Sequence, residues 1–295
     1  DPHIIHSYNY AADYTEPLAA KMAGIKWIYT KKNMSWQGPS YRGWKLRSWL
    51  ADRIICQNTD MLKTFFPNVG KAKLIPIGVD IDQFKHQPGN PITRERWGIS
   101  DKTRIIISVA NLVPVKGIEV LILAFEQLIF DFPDWKLMIV GDDTTEYGRE
   151  LKNTFLGKPS IKDKIIFTGK HDNVRMFLDI SEIYVQSTLN KGRMEGAPIA
   201  ILEAMANGKV IIGSDIPGIR DQLKCSPDHL FNVGDVIDLK NKLYKFMSNN
   251  KSTNNKVGKN FVFHVKKYYD LYLEKKNLED FYQDLVFQKL CSYKK

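Results

Sequence analysis

The chain has 295 residues, 43% hydrophobic and 26% charged, enough for two ordinary domains and unlike a disordered or fibrous protein. No apolar run reaches the length of a membrane span, and the scattered Cys56, Cys225, Cys291 and six histidines argue against a disulfide framework or a bound metal. The formal net charge of +10 admits phosphate-bearing ligands or an anionic membrane face, while the absence of any nucleic-acid module in the sequence argues against a nucleic-acid partner.

Residues 1 to about 88 alternate strand and helix. Ile4-Ile5-His6 ends a short strand, Leu18 to Ala23 reads as a helix closed by Gly24, and Lys26 to Thr30 as a second strand. Tyr41 to Leu50 is a predicted helix and Arg53 to Gln57 a strand. Thr59 to Phe66 is a short helix before Pro67, and Lys73 to Asp80 leads out. Such alternation predicts a parallel sheet flanked by helices.

Residues 89–255 form a second predicted domain. Arg104 to Val109 is a continuous apolar run, as in a buried parallel strand. Asn111-Leu112-Val113-Pro114-Val115-Lys116-Gly117 is the turn after it. Apolar residues from Ile118 to Phe132 recur at helical spacing. Strand, turn and helix place backbone N–H groups and Lys116 beside an anion site. Trp135 to Asp142, Ile165 to Lys170, Ile183 to Ser187 and Lys209 to Asp215 are further strands and turns, and Val174 to Leu178 begins a helix. The run at 248–255 reads as a polar linker. Residues 256–295 suggest an amphipathic helix through Val265, Tyr268, Tyr269, Leu271 and Tyr272.

The stretch Met194 to Gly208 carries the chemistry. Gly196 permits a tight turn and close approach of a ligand, and Pro198 suits a first helical position. Ile199 to Ala206 is almost wholly apolar, so the helix should be buried, and Gly208 stops it. Its free N–H groups and positive dipole end would face an anion such as a diphosphate. Glu203 lies eight positions after Glu195. A carboxylate in an apolar helix is costly unless paired, so the two acids either border one pocket, accepting hydroxyl hydrogen bonds, or cap the turn and pair with a core cation.

From Glu195-Gly196 through Glu203-Ala204-Met205-Ala206, with Gly208, Ser214-Asp215 and Gly218 beyond, the sequence resembles the donor-site signature of retaining family 4 (group 1) glycosyltransferases. These are nucleotide-sugar-dependent enzymes with the GT-B fold. The resemblance implies an α/β protein of two Rossmann-like domains whose parallel sheets face a cleft. Residues 1–88 would be a partial acceptor-side domain and 89–255 the nucleotide-sugar domain. Residues 256–295 would be a helical segment returning to the first. Asp1-Pro2-His3-Ile4-Ile5-His6 is similar to the family's D-x-I-H-x-H strand, and Ile75 to Asp80 with Phe84 to its N-G-V-D-x-x-x-F exit. The glycine-rich opening has no counterpart, and the chain starts without Met or a leader. A fragment lacking the first part of its N-terminal domain is therefore expected.

By the same resemblance, Lys116 with Gly117 would bind the donor diphosphate. Asn111 stands where the family has Arg. Gly169, Lys170 and His171 would lie against the base. Glu195, Gly196, Ala197, Pro198 and Ile199 would hold sugar and phosphate, and Glu203 the ribose hydroxyls. His6 and Tyr8 fall on the H-x-H pair, with Tyr8 replacing its second His. Tyr can hydrogen-bond a sugar but is no base near neutral pH; His6 reads first as a packed histidine at a strand end. His6, Tyr8, Lys116 and Glu195 are thus the catalytic candidates, with no cofactor or metal expected. The implied reaction is transfer of a sugar, with retention, from a nucleotide diphosphate sugar to a hydroxyl of a sugar or lipid-linked acceptor. Polysaccharide or glycolipid assembly in the cytoplasm, peripheral on the inner membrane face, would be its setting. Two alternatives stay open. One is a sugar-nucleotide 2-epimerase of the same fold. The other is a catalytically inactive nucleotide-sugar-binding protein, favoured by Tyr8, Asn111 and the absent opening loop.

Overall fold

The computed structural model describes residues 2–9, 12–35, 41–88, 91–192 and 196–292. Its contacts divide the chain into two compact units. The first comprises Asp1–Gly78, Arg193–Ala197 and Leu271–Lys295, and the second Val79–Gly192 and Pro198–Asp270. The unit boundaries thus fall at 78/79 and 270/271, where the sequence placed domain limits at 88/89 and 255/256. Among the described residues no helix is long and apolar enough to cross a membrane.

The first unit is built from β1 (Ile4–Ser7), α1 (Thr15–Met22), β2 (Lys26–Lys31), α2 (Tyr41–Leu50), β3 (Arg53–Cys56), α3 (Thr59–Phe65) and β4 (Ala72–Leu74). The strands form one parallel sheet in the order β1-β2-β3-β4. Side chains alternate across it, as the pleat requires. Trp27, Tyr29, Ile54 and Cys56 point to one face, packing with Trp44, Met61 and Phe66. Ile28 and Ile55 point to the other, packing with Ile75, Phe281 and Leu285. Phe281 and Leu285 sit one turn apart on the last helix, Leu271–Ser292, so this returning segment closes the sheet's second face. Both faces are therefore covered, which is why β2 is buried almost throughout.

The second unit opens with α4 (Ile81–Phe84) and α5 (Pro91–Arg96), then runs β5 (Arg104–Val109), α6 (Ile118–Glu126), β6 (Trp135–Val140), α7 (Glu146–Leu156), β7 (Ile165–Gly169), α8 (Arg175–Asp179) and β8 (Ile183–Gln186). It continues with α9 (Ile199–Ala206), β9 (Val210–Ser214), α10 (Ile219–Gln222), β10 (Leu230–Phe231), α11 (Val236–Met247) and α12 (Lys251–Tyr268); the helix Leu271–Ser292 is α13. The six-stranded sheet has the order β10-β9-β8-β5-β6-β7 and is parallel throughout. The chain winds outward from β5 in one direction, then restarts at β8 and winds the other way. The reversal falls between β5 and β8, the place where α/β sheets open a crevice at their carboxyl ends.

Two local expectations change. The helix after Lys116 stops at Glu126 instead of continuing to Phe132; Leu128 and Ile129 are still buried, but from a turn. The run at 248–255 is no linker. Asn250 caps α12, its side chain accepting from the Thr253 amide at 2.9 Å, and Asn254 is buried, donating to the Phe246 carbonyl at 2.9 Å. Asn and Ser suit loops and helix starts equally well, so composition misleads there. α7, absent from the sequence expectations, buries Gly148, Leu151 and Phe155 and is capped by Thr145, which accepts from the Gly148 amide. Gly258 lets α12 lie against the end of α9: a Cβ there would fall 1.9 Å from the Gly208 carbonyl oxygen.

Candidate functional site

The turn after β5 and the segment after β8 are laced together at the reversal of strand order. Pro114–Lys116 forms a short 3-10 turn that ends at Gly117, whose φ of 58° lies in the left-handed region. Gly117 is doubly required. A side chain would strain that backbone, and its Cβ would meet the Ser187 carbonyl at 2.4 Å. Ser187 Oγ donates to the Lys116 carbonyl at 3.0 Å, and the Leu189 amide to the Val115 carbonyl at 2.7 Å. Lys116 is thereby held with only 7% of its surface exposed. Asn111, earlier in the same turn, is exposed.

Pro198 precedes α9 instead of occupying its first turn; with ψ at 117° it stands at the cap position. Neither Pro198 nor Gly117 brings a capping side chain, so the first amides of α9 and α6 are open to a ligand. The Pro198 carbonyl accepts from Gln222 Nε2 at 3.0 Å, which anchors the start of α9. Ile199 is 42% exposed, whereas Ile201, Leu202, Ala204 and Met205 are fully buried. Glu203, a little over one turn into this helix, has no hydrogen-bond or ion-pair partner among the described residues. Burial pushes its carboxyl up from 4.5 to about 7.

Behind these turns runs a buried polar chain that the sequence did not reveal. Tyr184 donates to Gln186 Oε1 at 2.6 Å, Gln186 Nε2 to Thr188 Oγ1 at 2.8 Å, and Ser214 Oγ to the Thr188 carbonyl at 2.7 Å. It fixes the exit of β8 to the exit of β9. A run of polar residues inside a strand ending would have been the only hint.

Gly169, Lys170 and His171 follow β7. Gly169 has φ 78° and its carbonyl accepts from the Gly141 amide at 3.1 Å. Lys170 is exposed. His171 packs its ring 4.7 Å from Phe177 and 6.3 Å from Trp97, with Nε2 at 2.9 Å from the Thr168 carbonyl. Its side chain is therefore a strut for this turn, and only the backbone and Lys170 are presented outward. Asp142, whose role the sequence left open, closes its own turn by accepting from the Thr144 amide and hydroxyl; those bonds hold its carboxyl below the usual range.

The remaining candidates lie in the first unit. His6, on β1, shares hydrogen bonds with Tyr282 Oη at 2.6 Å and Thr30 Oγ1 at 2.8 Å. Burial, with Lys32 nearby, lowers its imidazole to about 4, so it is neutral at physiological pH. Tyr8 stacks 4.3 Å from the His6 ring, with the Lys32 ammonium 4.7 Å over its own ring. Burial and the Glu274 carboxylate raise its phenol, so it does not act as a base. Thr30 and Tyr282, which position His6, were not among the sequence candidates. Gly196 is buried; its amide donates to the Lys32 carbonyl at 2.8 Å and its carbonyl accepts from Asn58 Nδ2. A Cβ on Gly196 would meet Met61 Cε at 2.5 Å, so the protein itself demands glycine here. Ala197 is half-buried. Glu195 lies outside the described residues.

Residues 90–261 match the family described as glycosyl transferases group 1. A relative in Escherichia coli, UDP-Gal:alpha-D-GlcNAc-diphosphoundecaprenol alpha-1,3-galactosyltransferase, is 25% identical over 92% of this chain and 75% of its own length. A second, N-acetyl-alpha-D-glucosaminyl L-malate synthase of Bacillus anthracis, is 31% identical over 48% of this chain and 36% of its own. Among solved structures, Anabaena HepE in complex with UDP superposes with a TM-score of 0.84 at 18% identity, covering 95% of this chain and 78% of that one. The chain belongs to the group 1 glycosyl transferases. Its two parallel α/β sheets are those of the GT-B fold, and its class is that of a hexosyltransferase-type enzyme.

Proposed function

We propose that the chain transfers a sugar, with retention, from a nucleotide diphosphate sugar to the hydroxyl of a sugar or lipid-linked acceptor in polysaccharide or glycolipid assembly. The observation that carries this reading is a buried Lys116 in the turn after β5, tied through its carbonyl to Ser187 after β8 where strand order reverses, together with a Pro198 that brings no capping side chain to α9. Charge builds on the diphosphate as the glycosidic bond breaks. A fixed ammonium and oriented amides stabilise that charge without reorganising. Glu203, without a protein partner, is suited to accept ribose hydroxyls; such hydrogen bonds offset the cost of its burial.

With His6 neutral and Tyr8 protonated, the departing phosphate is the base that takes the acceptor proton. No metal is called for in this scheme. The names of the Escherichia coli relative and of the HepE complex make uridine nucleotides the first donors to try. The test is a thermal-shift screen of UDP-, GDP- and ADP-sugars on the chain and on Glu203→Ala. A shift in the parent that vanishes in the variant is expected; an equal shift in both rejects the assignment. Product analysis then separates transfer from 2-epimerisation, which converts donor with no acceptor, and from silent binding, which yields no product.

A further inference from the structure

A second pocket lies at the opposite end of the same sheet. A cavity of about 510 Å³ is bordered by the segments that enter β5, β8 and β9 at Arg104, Glu182 and Lys209. The donor loops leave the other ends of these parallel strands. A strand of this length spans roughly 20 Å, so the two places are separate. The volume is that of a small-molecule site.

Its lining is strongly cationic. α12 contributes Lys251, Asn255, Lys259, Val262 and Lys266, spaced so that they share one helical face. Lys85 faces them from the end of α4. None of Lys85, Lys251, Lys259 and Lys266 has an ion-pair or hydrogen-bond partner among the described residues. The two lining carboxylates are already engaged. Glu182 holds Arg104 and accepts from Asn254 at 2.6 Å, and Asp179 lies 3.3 Å from His86 and accepts from Asn207 at 2.8 Å. Lys251 also sits in the first turn of α12, which has no acidic residue, where the helix dipole opposes a cation. This is not a lysine set that balances its own charge.

Two buried groups border the same space. Lys209 is 6% exposed and donates to the Ser181 carbonyl at 2.9 Å; burial lowers its ammonium to about 8. Asn207 is 1% exposed, and its Oδ1 has no hydrogen-bond partner, although its Nδ2 donates to the Phe84 carbonyl and to Asp179. A buried acceptor without a donor carries an uncompensated desolvation cost. The pocket therefore offers ammonium groups for an anion and, at exposed Asn255, an amide for a hydroxyl.

We infer that this cavity is a second ligand site, binding a phosphorylated polyol through Lys85, Lys251, Lys259 and Lys266, with the Asn255 amide hydrogen-bonding one of its hydroxyls. The inference is independent of the donor assignment, because the two sites share no residue. A free sugar phosphate and an inositol phosphate lipid headgroup carry the same chemistry. Calorimetric titration of the full chain with fructose bisphosphate tests the first source. Co-sedimentation with phosphatidylcholine vesicles with and without phosphatidylinositol phosphate tests the second. Lys259→Glu/Lys266→Glu changes two exposed side chains and should keep the fold, checked by circular dichroism. The expected result is saturable binding of one probe that weakens at least about tenfold in the double variant, while UDP affinity is unchanged. Binding of neither probe, or equal binding by parent and variant, overturns the inference.

Discussion

The two ends of the second unit's sheet hold charge in opposite ways. At the carboxyl end Lys116 is buried and Glu203 half-buried, and the Tyr184–Gln186–Thr188 chain lies at the exit of β8. At the amino end the lysines are many and mostly exposed, and the buried one, Lys209, is spent on a carbonyl. The topology explains the contrast. In a parallel α/β sheet each strand exits into the start of a helix, so amides and positive dipole ends collect at one end. The ends of the helices that lead into the strands, with their carbonyls, collect at the other, although α12 also starts there at Lys251. The carboxyl end is thus pre-organised for a compact diphosphate, while the amino end attracts anions through number and reach.

The strongest way to break this comparison is to remove the fixed charge. Lys116→Ala should lower transfer by about 10²–10³-fold, the scale of losing one oriented transition-state donor, with the thermal midpoint little changed. Steady-state kinetics with the donor found in the screen measure it, and near-wild-type turnover would show that the amides alone suffice.

Next comes Glu203. Its proton is held more tightly in the folded state, at about 7, than at its ordinary 4.5. Between those values unfolding releases a proton, so stability falls as pH rises and the loss is complete above about 7. The total is about 3 kcal/mol. Glu203→Gln should flatten that dependence and unfold later than the parent at pH 8 in urea titrations. A parallel pH profile for both proteins would place the strain elsewhere. The same variant should bind donor more weakly, since an amide is a poorer acceptor for hydroxyls than a carboxylate.

At the amino end the expected effects are smaller. Gly258→Ala puts a methyl 1.9 Å from the Gly208 carbonyl and must push α12 away from α9, at a cost of about 1–3 kcal/mol. It should weaken fructose bisphosphate or vesicle binding more than donor binding, because α12 carries the lysine face. Asn250→Ala removes the cap of α12 and should cost about 1 kcal/mol, read from the urea midpoint. An equal loss of donor affinity in both variants would mean that the two ends are coupled through α9.

Much of this protein was readable along the chain. The burial of β5 and β6 shows as runs rich in apolar residues, and α2 spans the Tyr41–Leu50 stretch that the sequence predicts as a helix. Lys116, Gly117 and the Glu203 helix stood out because turn, glycine and helix start are contiguous in sequence. Other features depended on residues far apart. His6 is positioned by Tyr282, which is 276 positions away. Gly196 is glycine because Lys32 and Met61 pack against it. Nothing along the chain links the lysines of α12 to Lys85, Asn207 and Lys209, which line the same cavity in the folded protein. Local steric and periodic rules act over a few residues, so strands, turns and helix starts are written in the order of amino acids. Strand order, the crevice it opens and the neighbours of a buried charge arise when distant segments share one core, and only the folded chain holds them.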